Sequence, residues 1–112
     1  MATADEVPAP PAAELSLADA MAYARELQLQ GRLQAADELY ERILVLAPDF
    51  PDAWHFRGVV VAVLGRPAEA ETLIRKALEL LPDYADAHNN LGNALQEQGR
   101  LEEAAGAYAR AL

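Results

Sequence analysis

Gly31, Gly65 and Gly99 stand 34 residues apart, and the same interval separates Gly58 from Gly92 and Pro48 from Pro82. It recurs at Arg32, Arg66 and Arg100, at Ala36, Ala70 and Ala104, and at Leu44, Leu78 and Leu112. A period of this length held without a gap confines the chain to an array of like units. Each unit is too small to bury its own apolar face, so neighbours must stack to make a core. The register gives three repeats, at 17–50, 51–84 and 85–112, in a domain spanning 16–112. They are preceded by a leader at 1–15 whose alanine, proline and acidic residues predict flexibility.

Each repeat reads as two helices. In the second, Pro51-Asp52 opens an apolar-periodic stretch that runs to Leu64, and Gly65 occupies the position just past a helix end. Pro67 then stands where a first-turn proline begins the next helix, and Pro82 stops that helix after about Leu81. Ser16 with Asp19 forms an S-x-x-D arrangement able to cap a helix start. Val59, Val60 and Val61 mildly disfavour helix, but their place in the register outweighs that. No segment alternates with period two, so no strands are expected. The fold class is therefore all-α, a right-handed superhelical solenoid of three helix-turn-helix units.

The side chains exclude much chemistry. With no cysteine in 112 residues, a disulfide scaffold, a thiolate zinc site and a cysteine nucleophile are ruled out. A net charge of -9 argues against nucleic acid and anionic membrane surfaces as partners, since both reward clustered Lys and Arg. The longest apolar stretch, Val59 to Leu64, is far short of the ~20 residues that cross a bilayer. The N-terminus carries Asp5 and Glu6 where a secretory signal would be basic. A cytoplasmic location is the resulting expectation. Arginine far outnumbers lysine and alanine is abundant, which fits a bacterial genome rich in G and C. No phosphate loop, H-E-x-x-H or G-x-S-x-G motif is present, and Ser16 reads as a cap, so no catalytic residues are assigned. His55 and His88 fall at different register positions, and no metal site or cofactor is expected. Asp37, Glu38, Glu41, Glu102 and Glu103 read as a wet outer face of the second helices.

The residues resemble the tetratricopeptide repeat family, whose pattern is W-x2-L-G-x2-Y, then A-x3-F, then P. Repeat three offers His88-x2-Leu91-Gly92-x2-Leu95 and Ala104-x3-Tyr108. Repeat two offers Trp54-x2-Arg57-Gly58-x2-Val61, Ala70-x3-Ile74 and Pro82. Repeat one offers Ala20-x2-Tyr23-Ala24-x2-Leu27, Ala36-x3-Tyr40 and Pro48. In this reading Gly58 and Gly92 leave room for Ala70 and Ala104, while Trp54, Tyr40 and Tyr108 fill the space around those contacts. Arg57 departs from the pattern at a normally apolar position, Ala20 replaces the large first residue, and Ile43 stands where a small residue is usual.

The resemblance implies a concave groove, lined by the first helix of each repeat, that binds a peptide or protein segment. Carried over by position, the groove residues are Met21, Arg25, His55, Val59, Ala62, Val63, Asn89, Asn93 and Gln96. Val59, Ala62 and Val63 either grip apolar side chains of a ligand or bury against neighbouring helices; the sequence leaves both readings open. The positions at which relatives clamp a chaperone's C-terminal carboxylate carry Met21, Arg25, Phe56, Asp86 and Asn90, mostly the wrong charge, and that function is rejected. Asn90 with Asn93 resembles one rung of the asparagine ladder of protein O-glycosyltransferases, without further rungs. The expectation is a non-enzymatic interaction module for neutral or basic protein partners. One rival is the substrate-recruiting N-terminal arm of a larger bacterial glycosyl-, sulfo- or methyltransferase. Another follows from the missing terminal cap: Ala105, Tyr108 and Leu112 would form a self-association face producing a homo-oligomer, unless the chain is cut from a longer one.

Overall fold

The computed structural model describes residues 16–112; the leader expected at 1–15 lies outside them. Among the described residues there are six helices and no strand: α1 (Leu17–Leu29), α2 (Leu33–Leu46), α3 (Pro51–Val63), α4 (Pro67–Leu80), α5 (Ala85–Glu97) and α6 (Leu101–Ala111). Each packs against the next, and α3 also touches α1 and α5, giving a solenoid of three antiparallel hairpins with extents 47 × 26 × 20 Å.

The turns follow from local chemistry. Gly31, Gly65 and Gly99 adopt φ of 77°, 86° and 76°, a left-handed conformation that costs a residue with a Cβ energy. At each, the glycine N–H and that of the next arginine turn back to the last carbonyls of the first helix, as in Arg32 N to Leu27 O, Arg66 N to Val61 O and Arg100 N to Leu95 O. Three identical Schellman caps thus set the angle of all three hairpins. Pro51 and Pro67 occupy the first turns of α3 and α4, where a missing N–H does no harm. Ser16 Oγ accepts from Asp19 N at 3.1 Å and caps α1.

Inside the hairpins the glycines permit close approach of the second helix. A Cβ on Gly92 would lie 2.5 Å from the Tyr108 ring, and one on Gly58 2.6 Å from Ile74 Cγ1 and 3.3 Å from the Ala70 carbonyl oxygen; Gly58 thus makes room for Ala70 as well as for the fourth residue beyond it, while at Gly92 the tightest approach is that of Tyr108. Trp54 donates its indole N–H to Pro48 O at 2.8 Å, and His88, at the same register position, has Nε2 2.7 Å from Pro82 O. A ring nitrogen reaching the preceding loop is what that position supplies, and histidine can substitute.

Asp37 is a correction to the wet outer face. It is 5% exposed, and Arg57 Nε on α3 donates to it at 2.8 Å, with Glu41 at 3.4 Å from the same guanidinium. Arg57 departs from the apolar pattern because its partner across the α2–α3 junction is an acid. At the α4–α5–α6 junction the register equivalent, Glu71, accepts from Arg100 at 2.6 Å and from Gln98 at 3.0 Å. Burial alone would raise the Glu71 carboxyl, but these donors and Arg75 outweigh it and hold it below the usual range.

Candidate functional site: a cleft between the second and third repeats

The first helices of repeats two and three face one another across a cleft of about 560 Å³. Val59, Ala62, Val63 and Ala94 make its apolar surface, with Ile74 behind, and Asn90, Asn93, Gln96 and Glu97 supply its polar side. Val63 is 65% exposed, an unusual position for a valine without a covering neighbour. The β-branched run Val59–Val61 divides by helical phase: Val60 and Val61 are fully buried, while Val59 turns toward the cleft.

Of the residues expected in a groove, the structure brings Val59, Ala62, Val63, Asn93 and Gln96 together here. Met21 is instead buried in the core beside Ala24 and Leu27. Arg25 is half-buried, its guanidinium 4.1 Å above the Phe56 ring, outside the cleft. Asn89 points to solvent one helical step away, and Asn90 takes the lining position. A one-residue error in phase rotates a helical side chain by about 100°, and the polar run His88-Asn89-Asn90 offers no apolar marker to fix it. On the expected self-association face, Ala105 and Leu112 are exposed. Tyr108 is committed to its own hairpin, with its ring over Gly92 and its hydroxyl 2.6 Å from Asn93 Oδ1 and 2.8 Å from Gln96 Oε1.

His55 lies beneath the site at 2% exposure. Its Nδ1 is 3.0 Å from Tyr84 Oη and its Nε2 2.8 Å from Asn90 Nδ2, so both ring nitrogens are satisfied. Phe56 and Tyr84 flank the ring at centroid distances of 4.9 and 4.7 Å. Burial pushes the imidazole below its usual range, against the pull of the Asp86 and Asp52 carboxylates and with some help from Arg25. Burial also lifts the Tyr84 hydroxyl above its ordinary range, and its bond to Asp52 at 2.6 Å acts in the same direction. A neutral histidine and a protonated tyrosine are therefore the working states. Among the described residues no cluster of three or more His, Cys, Asp or Glu could hold a metal ion, and no helix is long and apolar enough to cross a membrane.

Hairpins stacked at a 34-residue period over an apolar cleft define a helical-repeat protein. Tetratricopeptide repeat profiles match residues 49–112 and 17–60; the chain belongs to the tetratricopeptide repeat family. Among solved structures it is similar to the Thermobaculum terrenum O-GlcNAc transferase, with 33% identity and TM-score 0.83 over 86% of this chain and 18% of that one. It is also similar to the first tetratricopeptide domain of Spaghetti (RPAP3) bound to an HSP90 peptide, with 25% identity and TM-score 0.83 over 86% of this chain and 76% of that one. MamA shares the fold at 22% identity and TM-score 0.80, over 86% of this chain and 56% of its own. The chain thus spans about half of MamA and under a fifth of the transferase. No curated protein matches it significantly.

Proposed function

We propose that the chain is a non-enzymatic protein-interaction module that holds a peptide or protein segment in the cleft between α3 and α5. The observation that carries this is the apolar patch of exposed Val63 with half-buried Val59 and Ala62, set against amide side chains: apolar surface rewards burial of a ligand side chain, and amides can pair its backbone. The Spaghetti domain, similar in fold, holds a peptide. Its acidic ligand does not transfer, because this chain has Asp86 and Phe56 where a carboxylate clamp would need donors. With net charge -9 and Glu97 in the cleft, neutral or basic segments are the expected partners. Their affinity should fall as salt rises.

Val63→Asp places a charge on the patch at an exposed site. On an array of short peptides it should abolish capture and leave the helical circular dichroism unchanged; capture equal to that of the unaltered chain would defeat the cleft assignment. A second reading, favoured by the likeness to the O-GlcNAc transferase, is that the repeats recruit protein substrates for a transferase. Reading the gene downstream of Leu112 for a catalytic domain tests it. The cytoplasmic setting belongs to the same proposal, and cell fractionation of the tagged chain tests that.

A further inference from the structure

The space that forms the cleft recurs one repeat earlier, where the chain fills it with its own side chains. At the register positions of Asn90, Ile74, Ala62 and Val59, the first junction carries Phe56, Tyr40, Gln28 and Arg25. There the Phe56 and Tyr40 rings stack at 6.4 Å between centroids, and the Arg25 guanidinium lies 4.1 Å above the Phe56 ring. Tyr40 donates its hydroxyl proton to Gln28 Oε1 at 2.9 Å, and repeat three holds the same pair, with Tyr108 Oη 2.8 Å from Gln96 Oε1. Repeat two has neither half, since Ile74 carries no hydroxyl and Ala62 no amide. The junction between repeats two and three therefore lacks the ring, the cation and the pair together, and the space they would take is the cleft of about 560 Å³.

We propose that the cleft is a socket for a phenylalanine side chain of the partner segment with an arginine or lysine directly beside it, a pair that supplies in trans what Phe56 and Arg25 supply in cis one repeat earlier. This rests on the cleft reading above. A ring laid on Val59 and Ala62, with Ile74 behind, buries apolar surface that no side chain of this chain covers, and the walls are already shaped for one at the equivalent place. The amides of Asn90, Asn93 and Gln96 both donate and accept, so they can pair the backbone that carries the ring. The charge pattern calls for the cation. Where the first junction has Arg25 the second has Val59, and where the first has Val63 on its rim the second has Glu97, which makes no ion pair among the described residues. A free carboxylate at the lip, in a chain of net charge -9, favours a basic residue beside the ring over a neutral or acidic one.

The test is titration of the isotope-labelled full chain with the capped probe Ser-Gly-Phe-Arg-Gly-Ser, followed by amide NMR. Shifts should concentrate on Val59, Ala62, Val63 and Ala94 and on the side-chain amide of Asn90. Serine in place of the probe's phenylalanine should weaken binding at least about tenfold, the factor expected from burying one large apolar side chain. Glutamate in place of its arginine should weaken it about threefold, a difference that narrows as salt rises. Ile74→Tyr combined with Ala62→Gln rebuilds in repeat two the pair that both flanking repeats hold, over Gly58, which matches the Gly92 beneath Tyr108. That double variant should lose the probe while its helicity and Tm stay close to those of the unaltered chain; if it unfolds, the probe comparison on the unaltered chain decides alone. No binding of the phenylalanine probe, equal binding of the serine probe, tighter binding of the glutamate probe, or undiminished binding by the folded double variant would each overturn the inference. Val63→Asp separates the two readings. If it abolishes capture on the array while the phenylalanine and serine probes bind alike, the cleft stands and the socket falls; if it leaves capture intact, the cleft itself is wrong.

Discussion

A buried neutral histidine makes stability depend on pH. His55 is held below its ordinary value of 6.5, so the unfolded chain takes up a proton more readily than the folded one. The stability this contributes is complete above the unfolded value and is lost as pH falls through the folded one. Asp52 on its own helix, Asp86 on α5 and Arg25 on α1 are the charges facing the ring, with Tyr84 against it, and the two carboxylates moderate the effect without reversing it. The Tm should therefore drop as pH falls below about 7, and His55→Gln should flatten that slope. A slope unchanged by the substitution would show that other groups set it. The helical glycines make a second residue-scale case. Gly92→Ala gains up to about 1 kcal/mol of helix propensity but drives a methyl into the Tyr108 ring, an overpacking that costs about 1–3 kcal/mol, so net destabilisation is expected. Gly106, also helical and exposed, has open space where a Cβ would go, and Gly106→Ala should raise the Tm. Thermal denaturation of the pair decides both signs.

At the scale of elements, the junction between α2 and α3 hangs on Asp37 and Arg57. Arg57→Met would leave a nearly buried carboxylate without its cation, at about 3–5 kcal/mol, whereas Asp37→Leu combined with Arg57→Met should recover most of that loss. Urea denaturation of the two variants checks it; a double variant as weak as the single would show that packing, not the stranded charge, is responsible. This junction also marks the limit of what the sequence discloses. Helix boundaries were legible because Gly31, Gly65, Gly99, Pro51 and Pro67 act through their own backbones, and the repeat interval ties one unit to the next. The acidic residues of the second helices look alike in sequence, yet Asp37 is covered and Glu38 is wet, because only the position of the following repeat separates them. The cleft was legible in part for the same reason. Val59, Ala62 and Val63 stand at first-helix positions that the repeat register picks out, but only the packed helices decide whether they face the cleft or the core. The links from Asp52 to Tyr84 and from His55 to Asn90 join residues 32 and 35 positions apart and carry no local signal.

Across the whole molecule the apolar core is divided rather than continuous. One cluster gathers the first repeat with Ala53 and Val60, another joins Ile74 to the third repeat, and a smaller one around Val61, Leu73 and Ala94 lies between. In such an array stability is close to a sum of unit and neighbour terms, and damage stays local. Leu95→Ala, which removes about 2–5 kcal/mol from the last cluster, should strip hydrogen-exchange protection from α5 and α6 while leaving α1 and α2 protected. Uniform loss of protection would mean that the three repeats fold as one cooperative block.

The acids that join successive repeats occupy one register position but are answered from different places. Asp37 meets Arg57 in the next first helix, where the third repeat carries Leu91; Glu71, one methylene longer, is answered instead by Gln98 and Arg100. Excising residues 51–84 would preserve the 34-residue spacing between the two turn glycines that remain, Gly31 and Gly99, yet it would set Leu91 opposite Asp37. The repeats are thus words in a fixed order and not interchangeable beads. A duplication or deletion of one of them leaves the rhythm of the chain intact and makes its sentence ungrammatical.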